Sequence, residues 1–136
     1  MFYLRYPKSI LIKLPSGKVR KATFADHMET TANDRQFGLS IQALRASNEL
    51  VTKTQGCKYN DLIVLTDKTY ETTKRVVEEP HPEQQFLPWM ARQILPFLEH
   101  FLSAQTDPQK CPELPELSPA EQAIEDMKDE ETPKES

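Results

Sequence analysis

Ser9-Ile-Leu-Ile-Lys-Leu14, Pro15-Ser-Gly17 and Lys18-Val-Arg-Lys-Ala-Thr-Phe24 form the stretch on which the fold turns. In an extended chain successive side chains point to opposite sides. Ile10, Ile12 and Leu14 therefore share one face, against Leu11 and Lys13 on the other. Pro15 presets φ and Gly17 can take positive φ, so the middle triplet reverses the chain. On the way back Val19, Lys21 and Thr23 alternate against Arg20, Ala22 and Phe24. The N-terminal part is thus expected to be a β-hairpin.

Before the hairpin, residues 2–6 are short, aromatic and β-prone. After it, Thr23 and Asp26 make a capping pair that opens a short helix over 25–31, with a break at Asn33-Asp34. A longer helix runs from Asp34 or Leu39 to Gln55. Phe37, Ile41, Leu44, Asn48 and Val51 fall at helical spacing, and Gly56 terminates it. The apolar run Leu62-Ile-Val-Leu65 predicts a short buried strand able to join the hairpin sheet. Thr66 can cap a helix over 67–78, with Tyr70, Lys74 and Val77 along one side, ended by Pro80. A stiff linker at 79–82 leads to the most apolar segment, 86–102. There Phe86, Met90, Ile94, Phe97 and Phe101 repeat at helical spacing, with Trp89 beside them. Pro96 falls mid-helix and is expected to kink or split it. Arg92 and Glu99 make this segment too charged, and its length too short, to cross a bilayer.

The 136 residues fit one domain with a tail. The formal net charge of −4 hides an asymmetry. Residues 1–102 carry 14 Lys+Arg against 11 Asp+Glu, whereas residues 103–136 carry 3 against 10. Six cations (Arg5, Lys8, Lys13, Lys18, Arg20 and Lys21) precede the first acid. An acidic tail can fold back over such a basic head and weaken its attraction for phosphate. The tail is rich in proline and poor in large apolar residues, a composition that favours disorder. One island stands out: Ser118-Pro119-Ala120-Glu121 is a helix start, and Ala120, Ala123, Ile124 and Met127 make one face. Ten residues are too few for a stable helix alone, so this island reads as a segment that orders when it docks.

Catalytic and metal chemistry find little support. His27, His81 and His100 are isolated from one another, and the neighbouring Asp26 does not face His27 on a helix. No serine lies in a nucleophile elbow, and Cys57 has only Lys58 beside it. Two cysteines and three histidines, none paired in sequence, are not a zinc pattern. Cys57 and Cys111 are expected to be free thiols. Three scattered glycines cannot build a phosphate-cradling loop. The apolar run at 10–14 is interrupted by Lys13 and bracketed by prolines, unlike a signal peptide.

The expected fold is α+β: a small antiparallel sheet, made of the hairpin plus one or two short strands, packed by three to four helices over 1–104. Residues 105–136 form an acidic, Pro-rich tail with a short amphipathic helix near 119–128. The expected function is non-enzymatic: protein–protein interaction or assembly, with no metal and no cofactor. The general look is that of an accessory component of a viral, phage or secretion-type assembly, cytoplasmic or packaged in something built there. A protein partner or a second copy would meet Phe86, Trp89, Met90, Ile94, Phe97 and Phe101, together with Ile124 and Met127 of the tail. Aromatic anchors dominate interface energies when desolvated. The alternative is a nucleic-acid-binding or regulatory protein using Arg5, Lys8, Lys13, Lys18, Arg20 and Lys21, with Phe2, Tyr3, Tyr6 and Phe24 available to stack on bases and the tail as autoinhibitor.

Overall fold

A computed structural model describes residues 1–33, 37, 38, 40–78 and 88–127. The elements run β1 (Phe2–Arg5), β2 (Ile10–Lys13), β3 (Val19–Ala22), α1 (Phe24–Ala32), α2 (Ile41–Thr54), β4 (Leu62–Leu65), α3 (Asp67–Glu78), α4 (Pro88–Leu102) and α5 (Pro119–Asp126). The fold is α+β. β2 and β3 form the hairpin, with Ile10 opposite Ala22 and Lys13 opposite Val19. Its turn closes through Leu14 N–H to the Lys18 carbonyl at 2.7 Å, and Gly17 takes φ +92°.

The fourth strand does not join this hairpin. β4 pairs antiparallel with β1, Phe2 opposite Leu65 and Arg5 opposite Leu62, in a second two-stranded sheet. Asn60 prepares the pairing from the left-handed region, at φ +78°. Asparagine tolerates that conformation better than most residues. Its N–H donates to the Tyr6 carbonyl at 2.9 Å, and Tyr6 N–H donates to the Asp61 carbonyl at 2.8 Å.

The caps expected at Thr23 and Ser118 open α1 and α5, and α2 starts at Ile41 behind a Ser40 cap instead of at Asp34 or Leu39. Thr23 Oγ1 accepts from Asp26 N–H at 3.2 Å, Ser40 Oγ from Ala43 N–H at 3.1 Å, and Ser118 and Glu121 complete a reciprocal capping box. The buried faces of α2 and α3 differ from the expected ones. α2 buries Ala43, Ala46, Leu50 and Thr54, while Ile41 and Leu44 are exposed. α3 buries Thr69, Tyr70, Thr72, Thr73 and Val76, and Lys74 is exposed. Small side chains let α1 and α3 lie close against α2. Buried Thr73 satisfies its hydroxyl within the helix, Oγ1 donating to the Thr69 carbonyl at 2.7 Å, and Thr69 Oγ1 accepts from the Thr66 hydroxyl at 3.1 Å.

α4 continues through Pro96 rather than splitting. Pro96 and Arg92 lie on its exposed side, away from the core. On the opposite side Ile94, Phe97 and Phe101 are buried in the common core with Leu4, Ile12, Phe24, Met28 and Leu65. The rings are used internally. Phe2 stacks on Tyr70 at 3.9 Å and Tyr70 on Phe101 at 4.9 Å. Phe24 meets Tyr6 and Phe97 edge-to-face at 5.7 and 5.8 Å. Among the described residues no helix is long and apolar enough to cross a membrane. The expected break at Asp34, the start at Leu39, and the 79–82 linker with His81 lie outside the described residues.

Candidate functional site

The expected tail begins at 105, yet hydrogen-bonded chain continues to Met127 across the body. Gln105 exchanges backbone hydrogen bonds with Tyr3 at 2.7 and 2.9 Å, which fixes where the segment leaves α4. Arg5 then holds it from below: Nε donates to the Cys111 carbonyl at 3.3 Å and Nη1 to the Asn60 carbonyl at 3.1 Å. Asn60 Oδ1 accepts from Leu114 N–H at 2.8 Å, and Tyr59 donates its hydroxyl to the Pro115 carbonyl at 2.6 Å. Cys111, within the strap, is buried. Proline, which suggested disorder, here shapes an extended strap whose backbone groups are answered by the body.

The strap delivers α5 to the base of the hairpin. Lys8 pairs with Glu121, whose carboxyl that hydrogen bond holds below the ordinary range. The Glu125 carboxylate accepts from the backbone N–H and the hydroxyl of Ser9. Lys21 Nζ donates to the carbonyls of Glu125 and Met127, both at 2.8 Å. A cation at the C-terminal end of a helix meets both unsatisfied carbonyls and the negative end of the dipole. Ile124 and Met127 are half-buried against the body. Between strap and body runs an open, polar groove of about 1090 Å³, with Tyr6, Ser9, Lys21, Cys57, Glu116 and Glu125 among its walls.

The residues expected to bind a partner divide. Ile94, Phe97 and Phe101 belong to the core and present nothing to a neighbour. This corrects their place on a docking surface, because the two small sheets leave a core that these side chains help to fill. Trp89 and Met90, in the first turn of α4, are half-buried, and Phe86 lies outside the described residues. The six cations do not form one patch either. Directly paired residues of a hairpin point to the same side, so Lys13 and Lys21 share the outer face with Leu11 and Val19. Arg20 points to the inner face with Ile12, and Arg5 lies beneath the strap. Lys13 is exposed, and Lys18 sits at the turn. Of the four aromatics expected to stack on bases, Phe2, Tyr6 and Phe24 are engaged in the core contacts above. Sequence reasoning missed Asn60, Ser9 and Tyr59. An asparagine between a helix terminator and a strand is the one local signal that pointed to any of them.

Cys57, His27 and His100 lie in separate surroundings. Burial, helped by Asp61, pushes the Cys57 thiol up, away from the thiolate a nucleophile needs. The described lining of the groove holds Cys57 and no histidine. His27 is buried, with Nδ1 3.1 Å from the Thr23 carbonyl, and His100 Nε2 lies 2.6 Å from the Arg5 carbonyl. Both cysteines are free, and among the described residues no three His, Cys, Asp or Glu groups are gathered as metal ligands. No family model matches the chain, and neither a curated protein nor a solved structure resembles it.

Proposed function

We propose that the chain is a non-enzymatic binding protein, an accessory component of a larger assembly, whose basic hairpin base is occupied by its own acidic helix until a protein partner displaces it. One observation supports this above the rest. α5 is seated by charge and helix-end contacts on Lys8, Ser9 and Lys21, with none of its own residues fully buried. A segment held that way competes with an incoming ligand at little cost, whereas a core helix does not. The partner then presents an acidic helical segment to the site α5 vacates, and the half-buried Trp89 and Met90 are available at its margin. The intended setting is the cytoplasm.

The test uses the full chain and a fluorescent peptide copying residues 117–127. Glu121→Ala combined with Glu125→Ala loosens the resident helix, and the variant should bind the peptide at least about tenfold more tightly than the parent. Equal affinity, or none in either protein, rejects displacement. A second reading, nucleic-acid binding inhibited by α5, draws on the engagement of Lys8 and Lys21, two of the six N-terminal cations, by that helix. It requires that the same double variant bind single-stranded RNA with strong salt dependence and that the parent not do so.

A further inference from the structure

The two edges of the hairpin are treated differently. Leu14 N–H bonds to the Lys18 carbonyl, so by alternation Ile12–Arg20 and Ile10–Ala22 are the hydrogen-bonded pairs. The N–H and C=O groups of Ser9, Leu11 and Lys13 must then point outward from β2, and those of Val19 and Lys21 outward from β3. The outer edge of β2 is covered at both ends by side chains. Gln93 of α4 acts there like a strand, its Oε1 accepting from Lys13 N–H at 2.6 Å and its Nε2 donating to the Lys13 carbonyl at 2.9 Å. Glu125 of α5 takes Ser9 N–H at the other end.

Among the described residues no such cover reaches β3. Among the described residues none donates to or accepts from the outward backbone groups of Val19 and Lys21, and the Val19 side chain is 42% exposed. Four consecutive backbone groups are thereby left as a template for another strand. The chemistry around them selects the occupant. Lys21 and Lys13 lie on the outer face, Arg20 on the inner face, and Lys18 enters the strand. A second copy of Val19-Arg-Lys-Ala22 laid against the first would set cations opposite cations, which destabilises a pair. An acidic strand meets the opposite condition.

We propose that the outer edge of β3 is a strand-addition site for an extended, acidic segment of a partner protein. Main-chain hydrogen bonds to Val19 and Lys21 give the affinity, and Lys13 and Arg20 select negative side chains alternating with apolar ones that cover Val19 and Leu11. This names a partner for the hairpin already read as a binding surface, but it does not require α5 to leave, since α5 makes no bond to the outward backbone groups of Val19 and Lys21.

The experiment uses the isotope-labelled full chain and a capped heptapeptide of alternating glutamate and valine. At saturation, amide exchange at Val19 and Lys21 should slow at least about tenfold, with the α5 resonances unmoved. The same peptide N-methylated on its pairing edge should not protect them, nor should a lysine–valine counterpart. Val19→Pro removes an outward donor without touching the β2–β3 ladder, and should weaken the acidic peptide at least about tenfold. Unchanged exchange at Val19 and Lys21, or equal protection by the methylated peptide, overturns the site. Protection in concentrated protein without peptide assigns the edge to a second copy, and protection by oligothymidine assigns it to nucleic acid; either overturns the acidic strand. Movement of the Glu121 and Glu125 signals without edge protection favours displacement of α5 and rejects strand addition.

Discussion

Helices α4 and α5 are both amphipathic, and both carry apolar residues at helical spacing, yet the fold uses them in opposite ways. α4 drives Ile94, Phe97 and Phe101 into the centre, where each large side chain contributes about 1.5–3 kcal/mol by leaving water. α5 buries nothing completely and is held by Lys8, Ser9 and Lys21. The comparison teaches that a stripe of apolar residues does not by itself distinguish a core from a docking surface. What distinguishes them is how much the remaining elements can cover. Two sheets of two short strands cannot enclose a core, so α4 is consumed in doing so. α5 lies outside that core, with Ile124 half-buried and its polar contacts made to Lys8, Ser9 and Lys21.

The largest expected effect is on the α4 side. Phe97→Ala should cost about 3–5 kcal/mol, read from the urea midpoint, because it removes a wholly buried ring between Phe24 and His27. A loss below about 1 kcal/mol would put α4 on the surface and erase the contrast. Acid comes next and strikes the same core. Burial lowers the pKa of His27 below its ordinary 6.5. The unfolded chain therefore takes up a proton at a pH where the folded ring remains neutral. The stability linked to His27 is complete above about pH 6.5 and declines as the pH falls below it, until the folded-state ring protonates as well. Each pH unit across that window removes at most about 1.4 kcal/mol. His27→Gln should flatten that part of the midpoint-against-pH curve.

Smaller effects belong to α5. Ser118→Ala removes the capping box and should cost the local helix about 1 kcal/mol. Hydrogen exchange should accelerate over residues 119–126, with the amide of Phe97 unaffected. Smallest of all, Lys8→Ala should leave the urea midpoint unchanged while shifting α5 resonances, since an exposed ion pair adds little to global stability. Raising salt from about 0.1 M to about 1 M shortens the screening length from about 10 Å to about 3 Å and should move the same α5 signals, leaving those of α4 in place. If α4 responds to salt as α5 does, the two helices are not held by different forces.

Legibility along the chain followed the range of the interactions involved. The Pro15-Ser16-Gly17 reversal, the caps at Thr23, Thr66 and Ser118, and the stop at Gly56 are set by neighbours within four residues, and each is visible locally. Which face of α2 turns inward is not. Ile41 and Leu44 are more apolar than Ala43 and Ala46, but the fold buries the smaller pair. The strap was illegible for a related reason. Its composition predicts weak self-structure, and what orders it is a set of donors and acceptors at Arg5, Tyr59 and Asn60, more than fifty residues away in sequence.

The amino-acid order by itself determined the elements: a basic hairpin, a capped acidic helix near the end, and a ring-rich helix between them. These depend on alternation, helical period and capping, which act over a few bonds. Only the tertiary structure decided that β4 pairs with β1, that the rings turn inward, and that α5 lies on Ser9 and Lys21. Those outcomes depend on which surfaces remain uncovered once the whole chain has closed, a quantity that no short stretch of sequence contains.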